Sequence, residues 1–163
     1  LCTGSGCLAI LAAGILPDAE IDAADLSNDA LQVARINVAE HGLANRISLL
    51  SGDLFEAVEG RGYDLIISNP PYVAGEEVAA FPPEYAHEPI MAHIGGDDGL
   101  DLVRRILAEA AEHLNPGGGL LCEIGTGRER LVAEFPHLDF LWLDTEESHG
   151  EVFWITREQL AGE

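Results

Sequence analysis

The chain has 163 residues, of which 29 are acidic and only eight are basic, all arginine, for a formal net charge of −21. This length is enough for one domain with a buried core, and no apolar run is long enough to span a membrane. The charge argues against a nucleic-acid-binding surface, which needs basic residues to neutralise phosphates. We therefore expect any macromolecular partner to be basic. Adaptation of the whole surface to high salt explains the acidity equally well.

The first half of the chain alternates between predicted helices and strands. The helices span residues 7–13, between Gly6 and Gly14, and residues 28–41, which Ser27 caps and Gly42 ends. The strands are short and mostly apolar. They are predicted at 21–25, 47–50 and 63–68.

The second half begins with a long stretch without periodicity, residues 73–98, of a kind that is usually functional or disordered. A helix at 100–114 follows, ended by the Asn-Pro-Gly-Gly-Gly turn at 115–119. The remaining elements are a strand at 120–124, a helix at 128–135, and strands at 140–143 and 152–156 around a turn at 146–150. The alternation predicts an α/β fold with a mainly parallel sheet.

The three cysteines, Cys2, Cys7 and Cys122, are odd in number and lie apart in apolar surroundings. They match neither a disulfide framework nor a metal-binding pair, and the six histidines show no ligand spacing. We therefore expect a reducing, cytoplasmic location and no metal.

A glycine-rich turn opens the chain and carries the first candidate site. It comprises Thr3, Gly4, Ser5 and Gly6, and Asp25 ends the strand that follows. Glycines let a ligand approach the backbone, the helix after them offers free N–H groups, and the acid can accept from ribose hydroxyls. The pattern fits a dinucleotide as well as S-adenosylmethionine, and a plain strand-to-helix turn remains an alternative. Because no strand precedes this turn, we expect the chain to be truncated at its front.

A second candidate lies in the segment Gly-Asp-Leu-Phe at 52–55, directly after a predicted strand. Ligands bind at the carboxyl ends of strands in doubly wound sheets. Asp53 could accept from an adenine amino group while Leu54 packs on the ring. An acidic turn residue without a ligand explains Asp53 equally well.

The third candidate is Asn69-Pro70-Pro71-Tyr72, which ends the most apolar strand. The prolines remove two N–H donors and hold the backbone extended. The Asn69 side-chain oxygen and the Pro70 carbonyl then become fixed acceptors beside the Tyr72 ring. This arrangement suits a planar –NH2 group, which offers two hydrogens and a face for stacking.

With these motifs, the chain resembles the protein-glutamine N5-methyltransferases of the HemK family over essentially its whole length. It is most similar to the branch that methylates ribosomal protein L-three. The features that carry the resemblance to this branch are Cys-Thr-Gly-Ser-Gly-Cys at 2–7, Glu-Tyr-Ala-His-Glu-Pro at 84–89, Asp-Gly-Leu-Asp at 98–101 and the tail at 152–160.

The resemblance implies a Rossmann-like class I S-adenosylmethionine-dependent methyltransferase fold. Its doubly wound, mostly parallel sheet would have an antiparallel C-terminal strand. Residues 1–163 would form one catalytic domain, without the family's first strand and N-terminal helical substrate-recognition domain.

The family's site residues carry over onto matching positions. Cys2, Thr3, Gly4, Ser5, Gly6 and Asp25 would hold the methionine and ribose parts of S-adenosyl-L-methionine, and Asp53 and Leu54 would frame the adenine. Asn69 would contact both cofactor and substrate, and Pro70, Pro71 and Tyr72 would complete the glutamine pocket. Residues 84–89 would line the substrate channel, and His87 and His93 would have loop roles only.

The implied reaction is direct methyl transfer to an amide nitrogen, which leaves S-adenosyl-L-homocysteine. Orientation and two acceptors would carry catalysis, without a strong general base. Three alternatives remain: a release-factor glutamine methyltransferase, an adenine-N6 nucleic-acid methyltransferase, and a non-catalytic cofactor-binding module.

Overall fold

The computed structural model describes residues 1–72, 96–144 and 149–162. The chain divides into two compact units, Leu1–Arg61 and Gly62–Glu163. Most of the predicted aperiodic stretch at 73–98 and of the turn at 146–150 lies outside the described residues. Within the described ranges, no helix has both the length and the apolar character that crossing a membrane requires.

The first unit contains two helices and a parallel pair of strands. In chain order they are α1 (Cys7–Ile15), β1 (Ile21–Asp25), α2 (Asn28–Glu40) and β2 (Ile47–Ser51), followed by a 3-10 helix, Leu54–Val58. Strands β1 and β2 pair in parallel, with Asp25 opposite Ser51 at their carboxyl ends. All four predicted elements of this unit are therefore present.

Helix α2 forms as its periodicity predicts. The Ser27 Oγ accepts a hydrogen bond from the Ala30 N–H at 3.2 Å and caps the first turn. Leu31, Ala34 and Val38 lie on one face and are buried. A small core of mostly alanine and β-branched side chains joins the helices to the strands: Ala9, Ala13, Ala23, Val38 and Ile47.

Helix α1 does not end at Gly14, as predicted, but continues to Ile15. The reason lies far along the chain, because the Arg46 guanidinium donates to the carbonyls of Ala13, Leu16 and Ala19 at 2.6–3.1 Å. A cation at the carboxyl end of a helix satisfies terminal carbonyls that would otherwise be left to water.

The second unit is built on a four-stranded sheet in the order β3-β4-β6-β5. Its elements are β3 (Tyr63–Ser68), α3 (Asp101–Glu109), β4 (Leu114–Glu123), α4 (Arg128–Glu134), β5 (Leu141–Leu143), β6 (Val152–Thr156) and α5 (Arg157–Ala161). Strands β3 and β4 are parallel, whereas β6 runs antiparallel to both β4 and β5. The predicted antiparallel C-terminal strand is thus confirmed.

Two local predictions in this unit differ from the structure. Residues 115–119 do not separate a helix from a strand but form an irregularity inside β4, between the pairs Tyr63–Leu114 and Leu65–Gly119. The helix before them ends earlier and tightens into a 3-10 turn, Ala110–His113. Helix α5 was not predicted, although the sequence contains its signal: Thr156 and Gln159 form a capping box.

Candidate active site

The glycine-rich turn is hydrogen-bonded to the end of β1, and both oxygens of the Asp25 carboxylate accept backbone N–H groups. The Gly4 N–H donates to Asp25 Oδ2 at 2.7 Å, and the Ser27 N–H donates to Oδ1 at 2.9 Å. The Thr3 N–H donates to the Ala24 carbonyl at 3.0 Å. Asp25 therefore stabilises the conformation of the turn. Each carboxylate oxygen can accept more than one hydrogen bond, so Asp25 could still accept from a ligand.

The turn also needs an unusual backbone. Gly4 has φ 54° and Gly6 has φ 81°, and the non-glycine residue Cys2 has φ 53°. A Cβ on Gly6 would lie 3.2 Å from Ala34 Cβ, whereas a Cβ on Gly4 would meet no atom within 4 Å. Gly6 thus permits close packing on α2, and Gly4 leaves open space where a ligand could approach the backbone.

Helix α1 begins directly after this turn, and no side chain caps its N-terminus. Unpaired N–H groups at such a position attract an anionic group. The turn is supported from α2, where Asn37 Nδ2 donates to the Ser5 carbonyl at 2.9 Å. Asn37 was not predicted from the sequence, since nothing in its own segment marks a contact with a residue 32 positions away.

The second predicted segment follows β2 in the same unit. The Gly52 N–H donates to the Asp25 carbonyl at 3.1 Å, which ties this segment to the end of β1. Leu54 has φ 49° and is only 6% exposed, so most of its side chain packs inside the protein. Asp53 is partly buried just before the 3-10 helix. Their roles at an adenine ring stay predictions.

The Asn-Pro-Pro-Tyr motif lies in the second unit, directly after β3. Ser68 and Pro70 are buried, whereas Asn69 between them is exposed. The Asn69 amide forms no hydrogen bond with residues of the described ranges. The motif therefore combines buried positions on either side of Asn69 with one exposed amide side chain.

Tyr72 is fixed by residues that sequence reasoning missed. Its hydroxyl donates to Glu123 Oε1 at 3.1 Å, and its ring packs on the backbone of Gly125. Glu123 is the last residue of β4, which pairs with β3, and Gly125 follows it by two positions, so both partners lie about 50 positions further along the chain than Tyr72. No local pattern around Glu123 signals this contact.

The remaining predicted residues fall elsewhere. Residues 84–89, His87 and His93 lie outside the described ranges. Among the residues that the structure does describe, no three His, Cys, Asp or Glu side chains come together as a metal site would require.

Comparison with solved structures identifies the fold. A methyltransferase from Pyrococcus furiosus is similar with a TM-score of 0.68 at 19% identity, over 95% of this chain and 71% of that one. A ribosomal protein L11 methylase from Lactobacillus delbrueckii is similar with a TM-score of 0.61 at 20% identity, over 94% of this chain and 68% of that one. The predicted Rossmann-like class I methyltransferase fold is therefore confirmed.

Family membership follows from the sequence match. The profile of the family described as methyltransferase small domain matches residues 1–82. The chain belongs to this family.

Closer relatives bear out the resemblance seen in the motifs. The ribosomal protein uL3 glutamine methyltransferase of Bradyrhizobium diazoefficiens is 61% identical over 160 residues, which is 98% of this chain and 50% of that protein. The protein of the same name from Neisseria gonorrhoeae is 58% identical over 163 residues, which is all of this chain and 54% of that protein. The chain thus spans about half the length of these relatives.

Proposed function

We propose that the protein containing this chain transfers a methyl group from S-adenosyl-L-methionine to the side-chain amide nitrogen, N5, of a glutamine in ribosomal protein uL3. The observation that carries the proposal is the Asn-Pro-Pro-Tyr segment after β3, with its exposed Asn69 amide between buried positions. The names of relatives that are 58–61% identical support the choice of substrate.

The residues of the first unit fit the proposed cofactor. The open space at Gly4, the uncapped start of α1 and the Asp25 carboxylate offer, in one turn, room, N–H donors and a charged acceptor. The N–H groups suit the carboxylate of the methionine part, and Asp25 suits the ribose hydroxyls. When bound, the cofactor supplies an electrophilic methyl on a sulfonium. Cys2, Thr3, Ser5 and Gly6 would line this part of the site, and Asp53 and Leu54 the adenine part.

The residues of the second unit fit an amide. The Asn69 side-chain oxygen and the Pro70 carbonyl would accept the two amide hydrogens, while Pro71 and Tyr72 would bound the pocket. An amide nitrogen is a weak nucleophile, because its lone pair is delocalised into the carbonyl. Two fixed acceptors orient the nitrogen and return electron density to it. The proton becomes acidic once the methyl is attached, so no strong base is required.

The charge of the chain supports a basic protein as partner rather than a nucleic acid. A net charge of −21 attracts a basic ribosomal protein and repels a row of phosphates. A cytoplasmic location follows from a ribosomal substrate and belongs to the same proposal.

Methyl transfer from labelled S-adenosylmethionine tests the function. The gene product that contains this chain should label unmethylated uL3, or a glutamine peptide from it, and should not label DNA, RNA or release factors. Transfer to uL3 should be faster at low salt, since screening weakens the attraction. The Asn69→Ala variant should lose about 100-fold or more in kcat/KM, the loss seen when one oriented polar partner of a reacting group is removed.

The matched control is Asn45→Ala, which removes another exposed asparagine amide, in the turn before β2. It should leave transfer unchanged, and both variants should unfold at the temperature of the unmodified protein. Label on adenine, or on release factors in preference to uL3, would refute the substrate assignment. Cofactor binding without transfer to any of these substrates would favour the non-catalytic alternative.

A further inference from the structure

The Tyr72 side chain is held from two directions by residues that follow one another in the chain. Its hydroxyl donates to the Glu123 carboxylate at 3.1 Å, and Glu123 is the last residue of β4. Parallel pairing of β3 with β4 places Ser68 opposite Cys122, so both segments leave the same edge of the sheet. The register of β3 and β4 therefore brings the segments that carry Tyr72 and Glu123 to the same edge.

Gly125 holds the ring itself. It is buried, has φ 55°, and a Cβ built on it would lie 2.6 Å from Tyr72 Cδ2 and 2.7 Å from Cε2. Real Cβ atoms do not approach carbon atoms so closely, and an L residue resists this backbone conformation. A side chain at position 125 would therefore displace the Tyr72 ring. Glycine at this position lets the ring pack directly against the backbone.

We propose that Glu123 and Gly125 are positioning residues that set the plane of the Tyr72 ring for amide recognition. This inference rests on the proposed function, because it assigns the ring face to the glutamine amide. The hydroxyl donates to the Glu123 carboxylate and the ring packs on Gly125, so these two residues constrain the plane of the ring that would contact the amide. A planar amide stacked on that face takes its orientation from the ring. Glu123 and Gly125 touch neither reacting group and act through Tyr72.

A double-mutant cycle in the protein that contains this chain tests whether Glu123 acts through Tyr72. Glu123→Ala should lower kcat/KM for the uL3 peptide by about 10-fold, the loss expected for a hydrogen bond to a charged group, and should leave the dissociation constant of S-adenosylhomocysteine unchanged. Glu123→Gln, which keeps an acceptor oxygen, should recover most of the activity. In a Tyr72→Phe background, Glu123→Ala should have no further effect. Glu129→Ala, which removes an exposed glutamate of α4, is the matched control.

A second measurement does not depend on catalysis. Nuclear magnetic resonance of protein labelled at tyrosine Cζ reports on the Tyr72 ring, whose resonance is assigned by its loss in Tyr72→Phe. This resonance should shift in Glu123→Ala and stay in place in Glu129→Ala. Gly125→Ala should also shift it, and, because this variant can fail to fold, the Glu123 series alone decides the outcome.

The outcomes separate the two proposals. An unchanged Tyr72 resonance in Glu123→Ala, or additive losses in the double mutant, would overturn the positioning role while methyl transfer stands. A shifted resonance in a protein that labels no glutamine substrate would overturn the proposed function, and with it the assignment of the ring face to an amide. A shifted resonance with non-additive losses supports both.

Discussion

Backbone strain in the first unit coincides with the predicted cofactor residues. Among the described residues, Cys2 and Leu54 are the non-glycine positions with positive φ, at 53° and 49°. Such a conformation costs about 1 kcal/mol or more for an ordinary residue and persists where its surroundings enforce it. Cys2 directly precedes the glycine-rich turn and Leu54 directly follows Asp53, so the strain lies in the two segments that the sequence assigned to the cofactor.

Asp25 is the residue whose loss tests the cofactor assignment. Its carboxylate accepts from the turn and, as proposed, from the ribose, so Asp25→Ala removes both interactions. We expect the affinity for S-adenosylhomocysteine to fall by about 10-fold or more, the loss for hydrogen bonds to a charged acceptor. Isothermal titration calorimetry measures it.

Asp18→Ala is the control, because Asp18 is exposed in the turn after α1. Circular dichroism at the titration temperature should show that both variants are folded. Equal affinity in Asp25→Ala and the unmodified protein would remove Asp25 from the site.

At the scale of elements, a charged network joins α3, α4 and the segment before α3. Arg104 of α3 donates to Asp98 at 2.6 Å and to Glu134 of α4 at 2.8 Å, and Arg130 of α4 donates to the Asp98 carbonyl at 2.7 Å. The hydrogen bond from Arg104 holds the pKa of Asp98 well below its usual range and lowers the pKa of Glu134. The Asp-Gly-Leu-Asp motif at 98–101 thus has a structural role in anchoring α3.

This network predicts a pH dependence of stability. Asp98 and Glu134 both have depressed pKa values in the folded protein. Their contribution to the free energy of unfolding is therefore fully present above the pKa of the same group in the unfolded chain, about 3.9 for aspartate and 4.3 for glutamate. It is lost as the pH falls through the folded values. Arg104→Met should lower the free energy of unfolding by about 1 to 2 kcal/mol at pH 7, given partial exposure of the pairs. Urea denaturation at pH 7 and at pH values below about 4 measures both effects.

The difference between Arg104→Met and the unmodified protein should shrink as the pH falls. Arg35→Met, which removes an exposed arginine of α2, should change neither the stability at pH 7 nor its pH dependence. A difference that stays constant down to the lowest pH would show that the carboxylates do not stabilise the fold through Arg104.

At the scale of the whole molecule, the excess of acid predicts a response to salt. With a net charge of −21 and no lysine, self-repulsion opposes the folded state, and potassium chloride screens it. The thermal unfolding midpoint should therefore rise by several degrees from low to molar potassium chloride. Differential scanning fluorimetry measures it, and sucrose, which favours burial without screening charge, is the control.

Neutralising exposed acids should weaken this dependence. Asp18→Asn, Glu40→Gln and Glu129→Gln together remove three negative charges from exposed positions. A midpoint that is flat or falls with salt would argue against salt adaptation and leave the basic partner as the reason for the acidity.

Local signals predicted much of the secondary structure. Strands β1 and β3 have their predicted bounds, and α2 follows from its serine cap and the spacing of Leu31, Ala34 and Val38. Where prediction was wrong, a distant residue decided the outcome. Arg46 extends α1 past Gly14, and the pairing of β3 with β4 takes residues 115–119 into a strand.

The sequence by itself determined the fold class, the family and the motif residues, because periodicity, caps and short motifs depend on neighbours along the chain. Tertiary structure alone decided what supports those residues. Asn37 holds the turn at Ser5, and Glu123 and Gly125 fix Tyr72 across strands that are far apart in sequence. Such contacts depend on strand register and on the close approach of backbones, and neither is encoded in the residues next to the motif.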